Sequence, residues 1–152
     1  MVVSFKTGPE MFKVIIAEDD LAAVELLEEV LIAKGYKVCG VARTVDYAVD
    51  LIVRHKPNLA IVDLVLCDGC FGTDIAARLD YRDRPGILYT TGYPDDIRML
   101  TAYGEACLAK PYRAADILGA LLIVQQILKT EGGPRQYPGG LSVLAPRRRT
   151  AE

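Results

Sequence analysis

Short β-branched runs alternate with segments of helical period almost throughout this chain, and that alternation limits the fold more than any other feature. Lys13–Ala17 reads as a fully buried strand. Leu21–Lys34 follows with apolar residues at Leu21, Val24, Leu27 and Leu31, the spacing of a helix that buries one face. Asp20 is placed to cap its start and Gly35 to end it in a left-handed conformation. The pattern repeats. Lys37–Val41 is a strand, and Thr44 caps a helix that ends near His55, before Pro57. Leu59–Asp63 is a strand, and a loop over Cys67–Gly72 leads to a helix at Thr73–Leu79. Gly86–Thr90 precedes a short helix at Asp95–Ala102, and Ala106–Ala109 precedes a last helix at Arg113–Lys129. Five such pairs call for an α/β fold, a doubly wound five-stranded parallel sheet covered on both faces.

Doubly wound sheets place their ligand crevice at the carboxyl ends of the strands. The polar residues fall there. Glu18 and Asp19 end the first strand, Asp63 the third, Thr91 the fourth and Lys110 the fifth. Gathering Glu18, Asp19 and Asp63 is electrostatically costly, because like charges raise one another's pKa. A hard divalent cation offsets the cost, and Mg²⁺ suits oxygen ligands while keeping sites for incoming phosphoryl oxygens. With the hydroxyl of Thr91 and the ammonium of Lys110, the set matches phosphoryl transfer to a carboxylate.

Those residues also carry a resemblance. Lys13–Asp20, Ile61-Val-Asp-Leu64, Thr90-Thr-Gly-Tyr93 and Lys110-Pro111 together resemble the signatures of the receiver domain of two-component response regulators, over about residues 12–130. The resemblance implies a flavodoxin-like receiver fold with strand order 2-1-3-4-5. It implies Asp63 as phosphoacceptor, and Mg²⁺ held by Asp19, Asp63 and the backbone carbonyl of Val65, with Glu18 acting largely through water. Thr91 would bond the arriving phosphoryl group, Lys110 would pair with it, and the Lys110–Pro111 bond would be cis. It further implies a sensor histidine kinase or histidine phosphotransfer protein as donor, and a signalling protein rather than an enzyme, one that assists its own phosphorylation and dephosphorylation.

The sequence departs from the family pattern in three places. Cys107 stands where the family carries an aromatic switch residue, three positions before the lysine. Cys67 replaces the familiar proline after the phosphorylated strand. Tyr89-Thr-Thr-Gly-Tyr-Pro94 resembles the Phe-Ala-Thr-Gly-hydrophobic-Tyr motif of an atypical alphaproteobacterial subgroup, with Thr90 for Ala and Pro94 for the last Tyr. That subgroup also lacks the aromatic and often consists of a lone receiver. In the family that these motifs resemble, the positions of Val65 and Tyr93 tune attack of water on the acyl phosphate. Apolar Val65 cannot orient a water, so slow self-dephosphorylation is expected.

Composition bounds the remainder. The chain of 152 residues fits one domain, residues 12–130, after an extension over 1–11 and before a Gly/Pro/Arg-containing flexible tail over 131–152. Within that tail, Leu141–Ala145 would alternatively dock as an extended peptide on a partner. A net charge of −2 argues against a general nucleic-acid binder, and Arg147–Arg149 would give only weak, salt-sensitive contacts. The longest apolar run, Ile117–Val124, is far below the ~20 residues needed to span a bilayer. No secretory signature is read at the start, so a cytoplasmic location with reduced thiols is expected.

Cys67 and Cys70 have C-x-x-C spacing. Zinc would need two more ligands, and His55 is the single histidine, so small loop residues or a thiol switch are the readings left. Cys39 and Cys107 read as packing residues, and His55 as a solvated one. The surplus apolar surface of the first and last helices, with Leu26 and Ile123 singled out, reads as a face for a kinase, a second copy or a downstream protein. The leading function is a single-domain response regulator that acts by altered protein contacts or onward phosphotransfer. The alternative is a receiver-like interaction module that works without phosphorylation. A phosphohydrolase is disfavoured, because Val65 stands where a second acid would be needed.

Overall fold

A computed structural model describes residues 12–129 and 139–144. The expectations for 1–11, for the rest of the tail, and for Arg147–Arg149 lie outside the described residues. The elements are β1 (Lys13–Ala17), α1 (Leu21–Ala33), β2 (Lys37–Ala42), α2 (Val45–His55), β3 (Leu59–Asp63), β4 (Val65–Leu66), β5 (Cys70–Phe71), α3 (Thr73–Arg78), β6 (Gly86–Thr91), β7 (Ala106–Ala109), α4 (Ala114–Lys129) and β8 (Leu141–Val143). The central sheet runs β2-β1-β3-β6-β7-β8. With the small β4–β5 hairpin set aside, this is the expected order with one strand added.

The local signals act as the sequence predicts. Asp20 caps α1 by accepting from the Ala22 N–H at 3.0 Å, and Gly35 follows it at φ 89. Thr44 caps α2 by accepting from the Tyr47 N–H at 3.2 Å. Strands β1, β3 and β6 are buried on both faces, as parallel strands between two helical layers must be. One face carries Ile15, Ala60, Val62, Ile87 and Tyr89 against Leu51, Ile52, Ile75 and Ala76. The other carries Val14, Ile16, Ile61 and Leu88 against Val24, Leu27, Ile117 and Leu121. Among the described residues no buried side-chain nitrogen or oxygen lacks a hydrogen-bond partner. No helix there is long and apolar enough to cross a membrane.

Three expectations need correction. First, the sheet has six strands, not five, and is not wholly parallel. Leu141–Val143, read as part of a flexible tail or as a peptide for a partner, pairs antiparallel with β7 of its own chain. The Ala109 N–H donates to the Gly140 carbonyl at 2.9 Å and the Leu144 N–H to the Glu105 carbonyl at 3.0 Å. Leu141 packs on one core and Leu144 on the other. A short Leu-x-x-Leu segment was too weakly patterned to outweigh the Gly and Pro around it, yet the open edge of β7 supplies a row of donors and acceptors that pairing satisfies. Second, the helix expected at Asp95–Ala102 is a single 3₁₀ turn, Ile97–Leu100. Ile97 and Leu100 are exposed and only Met99 is buried, so no apolar stripe holds a longer helix to the sheet. Third, Ile123 is buried and Leu122 is exposed, so the free apolar surface of α4 lies one residue earlier than expected.

Replacing half-buried Leu141 with Ala should cost about 1 kcal/mol, against ~2–5 kcal/mol for fully buried Leu121→Ala. Urea unfolding measures both. In the Leu141 variant the Ala109 and Leu144 amide protons should exchange with solvent faster than those of β3; unchanged exchange would contradict the pairing.

Candidate functional site

Four strand ends deliver the site. The Glu18 N–H donates to the Ala42 carbonyl at 2.9 Å, which holds the acidic stretch beyond β1 against β2. Asp63 is the last residue of β3 and pairs with Thr90, and the Leu64 N–H donates to the Thr90 carbonyl at 2.9 Å. The Lys110 N–H donates to the Thr91 carbonyl at 2.8 Å, which ties the end of β7 to that of β6. The Lys110–Pro111 bond is cis. Backbone ladders therefore fix the origins of all the side chains concerned.

Glu18, Asp19 and Asp63 each bring a carboxylate oxygen within 4.8 Å of the others. Lys110 Nζ lies 3.0 Å from Asp63 Oδ2 and 3.4 Å from Glu18 Oε2. Burial is graded: Glu18 is 2% exposed and Asp63 8%, whereas the Lys110 side chain keeps 31%. Glu18 Oε1 also accepts from the Asp20 N–H at 3.0 Å.

The charges do not balance. Burial, then the charge of Asp63, pushes Glu18 up to about 7, although the Asp20 amide and Lys110 pull it down. Burial alone would lower Lys110, but its bond and charge contact with Asp63, with Glu18 behind, leave it raised. The ammonium is thus committed chiefly to Asp63, the nearer partner, and one positive charge serves three acids. Clustered carboxylate oxygens with surplus negative charge are the donor set of a hard cation, so the residues present fit Mg²⁺. Thr91 is buried, and its Oγ1 accepts from the Tyr93 N–H at 2.9 Å, which leaves the hydroxyl proton to donate elsewhere.

Of the expected site residues, Glu18, Asp19, Asp63 and Lys110 come together, and Thr91 ends β6 beside Lys110, whose N–H its carbonyl accepts. Val65 begins the β4–β5 hairpin directly after the site and is exposed. Asp20 serves as a helix cap. Cys107 is buried beside Tyr89, and burial pushes its thiol up to about 11, the behaviour of a packing residue. Cys39 packs at the margin of the same core. Cys67 opens a 3₁₀ turn in the hairpin and Cys70 follows it, exposed.

Three positions escape sequence reasoning. A Cβ at Gly72 would lie 2.1 Å from the Asp63 carbonyl oxygen, so only glycine lets the chain return there, where its N–H donates to the Leu64 carbonyl at 2.7 Å. Arg98 lies 3.5 Å above the Phe71 ring and joins the loops after β3 and β6. The single available signal was a glycine ending the loop beyond Asp63. Nothing in the pattern marks a contact between residues 71 and 98.

The profile of the family described as "Response regulator receiver domain" matches residues 14–122. The chain is 32% identical over 111 residues to the phyllosphere-induced regulator PhyR of Methylorubrum extorquens, covering 69% of this chain and 40% of that one. It is 32% identical over 112 residues to the transcriptional regulatory protein PdtaR of Mycobacterium tuberculosis, covering 72% and 54%. The chain thus spans about half the length of these relatives. Among solved structures it is similar to the receiver domain of a modulated diguanylate cyclase from Desulfovibrio desulfuricans G20, with TM-score 0.68, 29% identity, and 79% and 98% of the two chains covered. It is also similar to the anti-anti-sigma factor PhyR of Bartonella quintana, with TM-score 0.64, 28% identity, and 78% and 48% covered.

Glu18 holds its proton more tightly folded than unfolded, where its value is 4.5. Its stabilising contribution is therefore complete below 4.5 and lost as pH rises through about 7. In Mg²⁺-free buffer the melting temperature should fall across that window, and Glu18→Gln should flatten the fall. Equal slopes in both proteins would contradict the assignment.

Proposed function

The chain belongs to the response regulator receiver family, and from that premise we propose that Asp63 accepts a phosphoryl group from a sensor histidine kinase or a histidine phosphotransfer protein. The observation that carries this reading is Asp63 itself, at a strand end, between a carboxylate pair and the Lys110 ammonium 3.0 Å away. Members of the family are signalling proteins.

Asp63 is the nucleophile, and its free oxygen attacks phosphorus as the bond to the donor breaks. Glu18, Asp19, Asp63 and the Val65 carbonyl would hold Mg²⁺, which supplies positive charge against the phosphoryl oxygens. Lys110 pairs with a second phosphoryl oxygen, exchanging part of its contact with Asp63 for the new charge. Thr91 donates its hydroxyl proton to a third. The exposed Val65 side chain offers attacking water no hydrogen bond, so the acyl phosphate is long-lived. The reading places the protein in the cytoplasm, where kinase and Mg²⁺ meet it.

The signal passes through altered protein contacts or onward phosphotransfer. Helices α1 and α4 leave Leu26 and Leu122 exposed beside their core stripes, an apolar face for a kinase's helical bundle, a second copy or a downstream protein. One structural neighbour is an anti-anti-sigma factor, which makes a regulatory protein the natural class of downstream target.

Acetyl phosphate with Mg²⁺ should add one phosphoryl mass to the protein, and Asp63→Ala should abolish the gain. No gain in the intact protein would favour a module that acts by binding alone. Val65→Asn should shorten the lifetime of the acyl phosphate severalfold, read by mass spectrometry after donor removal. Leu26→Asp should weaken transfer from a cognate kinase while leaving the acetyl phosphate reaction unchanged.

A further inference from the structure

The loops after β3 and β6 meet through a contact outside the acidic cluster. The Arg98 guanidinium lies 3.5 Å from the centroid of the Phe71 ring. Asp96 holds it from behind: both carboxylate oxygens accept from Arg98 Nη1 at 3.0 Å, and Oδ1 also accepts from the Arg98 backbone N–H at 2.9 Å. That amide first, and the guanidinium with it, keep the Asp96 carboxyl below the usual carboxylate range. Arg98 is thereby pinned at its root and its head, with the flat face of the cation on the ring.

Phe71 is not a distant anchor. In the β4–β5 hairpin it pairs directly with Val65. The next residue, Gly72, lies against the Asp63 carbonyl and bonds the Leu64 carbonyl. Whatever restrains Phe71 therefore restrains the two residues after Asp63. Buried Leu66 anchors the hairpin on its inner side, but each strand has two residues, and Val65 and Cys70 are exposed. A two-stranded hairpin this short is marginal by itself, so its outer side gains from the contact at Phe71.

We propose that Arg98 and Phe71 form a positioning pair that fixes the Val65 backbone against the acidic cluster, and so sets how tightly the site takes a divalent cation. The inference rests on the reading of the site as a Mg²⁺-assisted phosphoacceptor. It also gives the loop carrying Arg98 a mechanical link to the loop beyond Asp63, separate from the path along β6 and β7. Arg98 touches none of the reacting groups; its effect passes through Phe71 and the hairpin.

The test is titration of the intact chain with Mg²⁺ alone, followed by calorimetry. Arg98→Gln and Phe71→Leu should each weaken Mg²⁺ about two- to fivefold, the effect of losing one partly exposed cation–ring contact. The double variant should be no worse than the weaker single one. Phe71→Tyr, which keeps the ring, should restore the affinity. With acetyl phosphate, the Mg²⁺ concentration for half-maximal rate should rise in the single variants while the rate at saturation holds. A merely structural role would lower the rate at saturation as well. Unchanged Mg²⁺ affinity in folded Arg98→Gln, or additive losses in the double variant, would overturn the pair while leaving the site intact. Mg²⁺ binding that is absent from the unaltered protein, or indifferent to Asp63→Ala, would instead bring down the reading of the site and the pair with it.

Discussion

The structure depends on an unequal electrostatic exchange at one edge of the sheet. Three acids are drawn together and one ammonium is placed among them. Lys110 reaches Asp63 more closely than Glu18, so the more buried acid is the less compensated one. Folding supplies the energy for this arrangement through the two apolar layers, since the Asp20 amide and Lys110 offset only part of it. The outcome is a site that carries surplus negative charge and holds Asp63 in place through the Lys110 ammonium. That surplus is what a hard divalent cation would offset.

Rigidity comes from the backbone. Glu18 is tied to β2, Asp63 to β6, and Lys110 to β6 again through the Thr91 carbonyl. The tail strand adds a further tie at Ala109, the residue before Lys110. An edge strand that would otherwise end the sheet at the lysine is thereby made an interior one. The site residues differ in how far they project from this frame. Glu18, Asp63 and Thr91 sit close to it, whereas Val65 hangs on a two-residue strand and Arg98 on a single turn.

Much of this was legible in the sequence because the signals were local and mutually consistent. Strands such as Leu59–Asp63 are short apolar runs bounded by polar ends, and helix caps such as Asp20 and Thr44 act within a few residues. The carboxyl-edge rule then converted four strand ends into one site. What escaped has a common cause: it depends on partners far apart in sequence, or on space rather than pattern. Leu141 and Leu144 dock because β7 leaves an edge open. Gly72 is required by a carbonyl nine residues earlier. Arg98 finds Phe71 across two loops. The exposure of Leu122 rather than Ile123 reflects the rotation of α4 on the sheet, which an almost uniformly apolar helix does not disclose.

Replacement of the usual aromatic by Cys107 has a structural counterpart. Tyr89, its neighbour across the β6–β7 pair, is fully buried and its hydroxyl donates to the Tyr103 carbonyl at 2.7 Å. The ring also leaves no room for a side chain at Gly104, where a Cβ would lie 2.6 Å from it. A side chain so confined cannot swing between inward and outward positions at small cost. Communication by rotation of an aromatic ring on β6 or β7 is therefore closed in this chain. The segment from Gly92 to Leu100 has the opposite character: Tyr93, Ile97 and Leu100 are exposed, and Met99 is the buried residue of its turn. Change at Thr91 meets a locked strand on one side and a loosely held loop on the other, and free energy moves the element that resists least. That loop is the one that reaches Phe71 through Arg98, so its displacement and the geometry beyond Asp63 are mechanically joined.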